Sequence, residues 1–231
     1  MYVIDPPQQA SVAVSGQAAR FPVRRIFCVG RNYAAHAREF GNDPDRDPPF
    51  FFTKPADAVV ENDATIPYPP DTQDFHYEIE LVVAIGAPAR AIKAEDALSV
   101  VWGAGVGIDL TRRDLQAVAK KMGRPWDFSK GFDQSAPIAP LVPIADVPSL
   151  TSGRIHLEVN GEARQDADLA DQIWPVADMI AYLSASIALA PGDLIMTGTP
   201  AGVGAVSPGD VMTGGIEGLG TIRTTVGAPL A

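Results

Sequence analysis

The chain has 231 residues, the size of one large domain or two small ones, and can bury a substantial core without a structural metal or a disulfide. Its formal net charge of −10 repels polyanions, which excludes nucleic acid as a partner, and 46% hydrophobic with only 20% charged residues excludes a disordered chain. Glycine and proline, 21 residues each, exceed average usage and point to a turn-rich, mostly β protein.

No repeat or Gly/Ser-rich linker divides the sequence, so it reads as an N-terminal edge segment over residues 1–23 followed by one domain over 24–231. Arg24 to Gly30 reads as a strand entering a Gly-Arg-Asn-Tyr turn, with a short helix expected from Ala34 to Phe40. Within that strand the single cysteine, Cys28, reads as a small buried hydrophobe. Gly41 to Pro49 is dense in turn formers and reads as an exposed loop, a lid over bound substrate. Tyr77 to Ile85 is the clearest strand: Tyr77, Ile79, Leu81, Val83 and Ile85 alternate with Glu78, Glu80, Val82 and Ala84.

Thr111 stands three residues before Asp114 in the manner of a capping box, Leu115, Val118 and Met122 follow at helical spacing, and Gly123 supplies the stop. Ile155 to Val159, Asn160-Gly161 and a short return read as a hairpin. Pro175 opens a second helix with an apolar stripe at Val176, Met179, Ile180, Leu183 and Ile187. Leu194 to Thr197 and Ile222 to Val226 are the last strands. The N-terminus has no basic leader and no apolar run reaches the ~20 residues of a membrane span, so a cytoplasmic protein with no membrane partner is expected.

Several side chains are equipped for chemistry. Glu78 and Glu80, two apart on a strand, point their carboxylates to one side, where they either meet solvent at an edge or share a hard divalent cation. Asp109, at the end of Val106-Gly107-Ile108, is the candidate third oxygen ligand for Mg²⁺ or Mn²⁺, or else a local cap. His36 and Glu39, three apart, form either a surface pair or a dyad that raises the basicity of the imidazole toward water. Lys130, between Phe128 and Phe132, is either a surface lysine or an ammonium beside a substrate oxyanion. Gly198 to Gly204 lacks the Lys-Ser/Thr of a phosphate loop and reads as a substrate-facing turn. Arg124, Lys54 and Tyr68 are candidate partners for a distal substrate carboxylate.

Taken together, GRNY at Gly30 to Tyr33, His36-x-x-Glu39, FFTKP at Phe51 to Pro55, HYEIEL at His76 to Leu81, GIDLTRRDLQ at Gly107 to Gln116, SKGFD at Ser129 to Asp133 and TGTPAGVG at Thr197 to Gly204 closely resemble the fumarylacetoacetate hydrolase family. The resemblance implies an α+β, mostly β fold, a mixed β-sandwich roll with flanking helices, that forms a homodimer. It further implies Mg²⁺ or Mn²⁺ on Glu78, Glu80 and Asp109, a water-activating His36–Glu39 dyad, an oxyanion-stabilising Lys130, and substrate contacts from Arg31, Arg113, Gln116 and Thr199. The short acylpyruvase and fumarylpyruvate hydrolase branch matches best, since the resemblance begins near Arg24. The expected reaction on a small 2-oxo acid is hydrolysis of fumarylpyruvate. The alternatives are oxaloacetate decarboxylation, acetylpyruvate hydrolysis, a hydroxymuconate-type isomerisation or decarboxylation, and non-catalytic binding of a small acid.

Overall fold

The computed structural model describes residues 2–34 and 48–230. Six strands form the central sheet in the order Val142–Pro143, Val101–Ile108, Ile79–Ile85, Asp193–Met196, Arg25–Gly30 and Phe50–Lys54. All neighbours are antiparallel except Asp193–Met196 beside Arg25–Gly30. That parallel pair starts where Arg25 lies opposite Asp193, whose enclosed carboxylate takes two hydrogen bonds from the guanidinium at 3.0 and 2.7 Å.

Alternation decides which layer each strand residue joins. Ile26, Cys28, Val82, Ala84, Leu194 and Met196 face a core closed by Val12, Val14, Phe21 and Val23 of the N-terminal hairpin and by Ala136, Ile138 and Leu141. Phe27, Val29, Leu81, Val83, Ile85 and Ile195 join the other core. There they meet a five-stranded sheet in the order Glu162–Asp168, Arg154–Val159, Val211–Ile216, Gly220–Gly227 and Ala64–Pro67. Each enclosed Leu, Ile or Val contributes about 1.5–3 kcal/mol. Cys28 is buried, and burial first, then the nearby Asp109 charge, pushes its thiol well above the ordinary value, which suits packing rather than nucleophilic chemistry.

The helix Val176–Ser186 follows Pro175 and buries Val176, Met179, Ile180 and Leu183, as the stripe predicts, while Ile187 lies beyond its end and is partly exposed. The hairpin turns at Asn160 and Gly161, both with positive φ, the backbone that an Asn-Gly pair tolerates. Among the described residues no helix is long and apolar enough to cross a membrane.

Three local expectations are corrected. Tyr77 to Ile85 is not one strand: Phe75–Tyr77 pairs with Thr111–Arg112 and Gly204–Ala205 in a small third sheet, Ile79–Ile85 pairs in the central sheet, and Glu78 stands at the change of partner. The capping box at Thr111 does not form, because Thr111 is held in the small sheet and its hydroxyl donates to Asp109 O; the helix runs Arg113–Met122 with no side-chain cap. The Leu115, Val118 and Met122 stripe is not its buried face either. Val118 and Met122 are about half exposed, whereas Gln116 and Ala119 are buried. The expected helix from Ala34 to Phe40, and residues 41–47 of the expected lid, lie outside the described residues apart from Ala34.

Candidate metal centre and active site

Glu78, Glu80 and Asp109 converge at one end of the central sheet. Glu80 pairs with Gly107 and Ile79 with Ile108, so the next residues out, Glu78 and Asp109, face one another, and Asp109 N donates to Glu78 O at 2.8 Å. One carboxylate oxygen from each of the three lies within 4.8 Å of the others. Their exposures are 5%, 1% and 0%, so the solvated-edge reading of Glu78 and Glu80 does not hold.

Three enclosed carboxylates repel one another unless countercharge is built in. Burial first, then Asp109 and Glu78, push the Glu80 carboxyl well above the ordinary range, against the opposing pull of Lys130 and of the Gly198 N–H, which donates to Glu80 Oε2 at 2.8 Å. Lys130 is no surface lysine. Its Nζ donates to Glu78 Oε2 and to Asp109 Oδ2, each at 2.7 Å. Burial opposes its charge, but Asp109 and Glu78 outweigh burial and hold it above the usual lysine value. Arg113 donates to Glu78 Oε1 and, at 2.7 Å, to Gln116 Oε1, so the helix Arg113–Met122 turns its polar side toward the carboxylates.

Lys54 corrects a further expectation. Far from reaching a distal substrate carboxylate, it is fully enclosed, with Nζ 2.8 Å from Asp109 Oδ1, and it donates to Leu110 O at 3.1 Å and to Lys130 O. Arg124 is exposed, and Tyr68 packs its ring 5.5 Å from that of Phe75.

The donor set fits a hard divalent cation such as Mg²⁺ or Mn²⁺: it is all oxygen, buried and convergent. Asp109 Oδ1, although in ion-pair contact with Lys54, accepts no aligned hydrogen bond and keeps a lone pair for coordination.

The structure brings Arg113 and Gln116 to this cluster, and Thr199 follows directly on Gly198. Arg31, at a left-handed φ of 63°, lies 5.4 Å from the Phe50 ring at the end of its strand. His36 and Glu39 lie outside the described residues. Sequence reasoning gave Lys54 a different role and passed over two further residues that shape the site, Asn32 and Gln165. Asn32 is wholly buried and donates to Thr197 O at 2.7 Å and Trp174 O at 3.0 Å while accepting from Trp174 N at 2.7 Å. The available signal was its place in the Gly-Arg-Asn-Tyr turn, a polar residue closing an apolar strand.

Comparison with known proteins agrees with this geometry. Residues 25–227 match the model of the fumarylacetoacetate (FAA) hydrolase C-terminal family. A fumarylpyruvate hydrolase from a Ralstonia species is 46% identical over 178 residues, 77% of this chain and 92% of that protein. A mitochondrial oxaloacetate tautomerase of Arabidopsis thaliana is 42% identical over 202 residues, 87% of this chain and 90% of that protein. The crystal structure of fumarylpyruvate hydrolase from Pseudomonas aeruginosa in complex with Mn²⁺ and pyruvate superposes with a TM-score of 0.96 at 51% identity, over 99% of this chain and 100% of that one. With its motifs in order, its carboxylates gathered and nearly its whole length matched, the chain belongs to the fumarylacetoacetate hydrolase family.

Proposed function

We propose that this protein is a divalent-metal-dependent hydrolase that cleaves a carbon–carbon bond of an acylpyruvate, converting fumarylpyruvate and water to fumarate and pyruvate in aromatic-acid degradation. The observation that carries this reading is the enclosed Glu78, Glu80 and Asp109 cluster bridged by Lys130. Mg²⁺ or Mn²⁺ held by these three residues supplies Lewis-acid polarisation of a 2-oxo acid.

The chain's own groups do the rest. With Glu78, Glu80 and Asp109 ionised, Lys54, Lys130 and Arg113 balance them, so a bound M²⁺ leaves two positive charges for a dianionic substrate. Arg31, Arg113, Gln116 and Thr199 orient that dianion. His36, oriented by Glu39, removes a proton from the attacking water, and the Lys130 ammonium steadies the oxyanion that forms at the distal carbonyl. Carbon–carbon cleavage then releases pyruvate as its enolate together with the acid. The protein works in the cytoplasm as a homodimer, consistent with half-exposed Val118 and Met122 and the 84% exposed Phe128 on neighbouring helices.

A second reading, enol–keto exchange or decarboxylation of oxaloacetate on the same carboxylates, is favoured by the similarity to the Arabidopsis tautomerase. The test follows fumarylpyruvate, acetylpyruvate and oxaloacetate by ultraviolet absorbance with Mg²⁺ or Mn²⁺ and then with EDTA, with products identified by mass. Metal-dependent formation of fumarate plus pyruvate is expected, and His36→Ala should abolish it while retaining the metal. Turnover of oxaloacetate alone would replace the hydrolase reading with the second one.

A further inference from the structure

The strand Asp193–Met196 runs beside Ile79–Ile85 only as far as Thr197, whose N–H donates to Leu81 O at 3.0 Å. There Gly198, at φ +93°, turns the chain away and gives its N–H to Glu80. The turn leaves the next N–H on that edge, at Ile79 between the two glutamates, without a ladder partner. A buried N–H in this position requires an acceptor.

Gln165 supplies it from the other sheet. It lies opposite Leu157 on the strand Glu162–Asp168, next to a β-bulge, and is 1% exposed, so its side chain enters the space between the layers. Its Oε1 accepts from Ile79 N at 3.0 Å. This fixes the orientation of the amide, because only the oxygen can take an N–H. Nε2 is thereby aimed at two acceptors, Thr199 Oγ1 and Pro200 O, each at 2.8 Å, which uses both its hydrogens.

The consequence falls on Thr199, 3% exposed. Its oxygen is engaged as an acceptor, and among the described residues nothing takes its proton. A hydroxyl carries a single donor hydrogen. We infer that Gln165 is a positioning residue that makes the Thr199 hydroxyl a dedicated hydrogen-bond donor to an anionic oxygen of the 2-oxo acid. The inference rests on the reading above, in which Thr199 faces that acid. It implies selection for an acceptor at this point of the ligand and against a group that can only donate, such as an ammonium or an amide N–H.

The test uses the full chain loaded with Mn²⁺ and pyruvate as the probe, with calorimetric titration of each. Gln165→Glu keeps an acceptor for Ile79 N–H but presents Thr199 with an acceptor as well, so the hydroxyl proton turns away from the ligand. Mn²⁺ affinity should stay within about threefold of wild type, while the pyruvate Kd rises about tenfold. Thr199→Val should raise it similarly, and the double variant should be no worse than Thr199→Val alone. Gln165→Met, which cannot orient the hydroxyl at all, repeats the test should Gln165→Glu not fold. Wild-type pyruvate affinity in a folded Gln165 variant overturns the inference. So does an undiminished loss on the Thr199→Val background, or loss of Mn²⁺ binding, which would put the role of Gln165 at the ligand strand instead. Failure of the Mn²⁺-loaded wild type to bind pyruvate is a different result: it overturns the 2-oxo acid reading and this inference with it.

Discussion

Lys54 Nζ stands 2.8 Å from Asp109 Oδ1, and neither side chain reaches solvent. Removing one member of an enclosed ion pair strands the other, so Lys54→Met should destabilise the metal-free protein by about 3 kcal/mol. Urea unfolding measures this directly; a loss below about 1 kcal/mol would mean that the pair is not holding the site.

Lys130 and a divalent cation address the same two carboxylates, Glu78 and Asp109. Lys130→Met therefore removes a competitor for the metal as well as the group proposed to steady the oxyanion. Calorimetry should find Mn²⁺ bound about tenfold more tightly, whereas turnover falls about a hundredfold. Weaker Mn²⁺ binding in a folded variant would show that the ammonium supports the metal rather than opposing it.

Gly198 combines φ +93° with a position where an added Cβ would lie 2.7 Å from Asn32 Cβ. Gly198→Ala should cost about 1–3 kcal/mol through backbone strain. Because its N–H holds Glu80, Mn²⁺ affinity should fall too, so thermal melts with and without Mn²⁺ should differ less than in wild type. An unchanged Mn²⁺-induced shift in melting temperature would separate the turn from the metal ligand.

Asp114 gives a pH dependence of defined sign. Burial pushes its carboxyl up, but hydrogen bonds from Thr72 Oγ1 at 2.6 Å and from Gln73 N and Leu115 N at 2.9 Å outweigh burial and hold it below the usual Asp value. On acidification the unfolded chain binds this proton first. The contribution is complete above the unfolded value near about pH 4 and is lost as pH falls through the lower folded value. Asp114→Asn should thus be less stable at neutral pH, with a deficit that shrinks below about pH 4. A deficit that grows on acidification has the wrong sign.

Local patterns carried much of the fold. The alternation around Leu81, the Asn160-Gly161 turn and the Pro175 helix are written in neighbouring residues, and the structure places them accordingly. The change of sheet at Glu78 is invisible to alternation, because a strand that exchanges partners keeps its period of two. The Arg113–Met122 helix misleads for a related reason: its inner face is chosen by Glu78 and not by its own apolar residues. Glu78, Glu80, Asp109 and Lys130 were legible as candidates because their motifs are distinctive. Lys54 was legible as a candidate but in the wrong role, and Gln165 was not legible at all, since a lysine before proline and a glutamine in a polar strand acquire their roles only from Asp109, Ile79 and Thr199, remote in sequence.

The break at Glu78 also gives the site a mechanical character. Glu80 belongs to the central sheet, whereas Glu78 sits at the joint from which the small sheet departs through Phe75–Tyr77. A cation held by both would span that joint, so the residues that seat the small sheet are also the ones that would grip the ion. The same Phe75–Tyr77 strand pairs with Gly204–Ala205, just beyond the turn that carries Thr199, so one strand links the carboxylate joint to that turn.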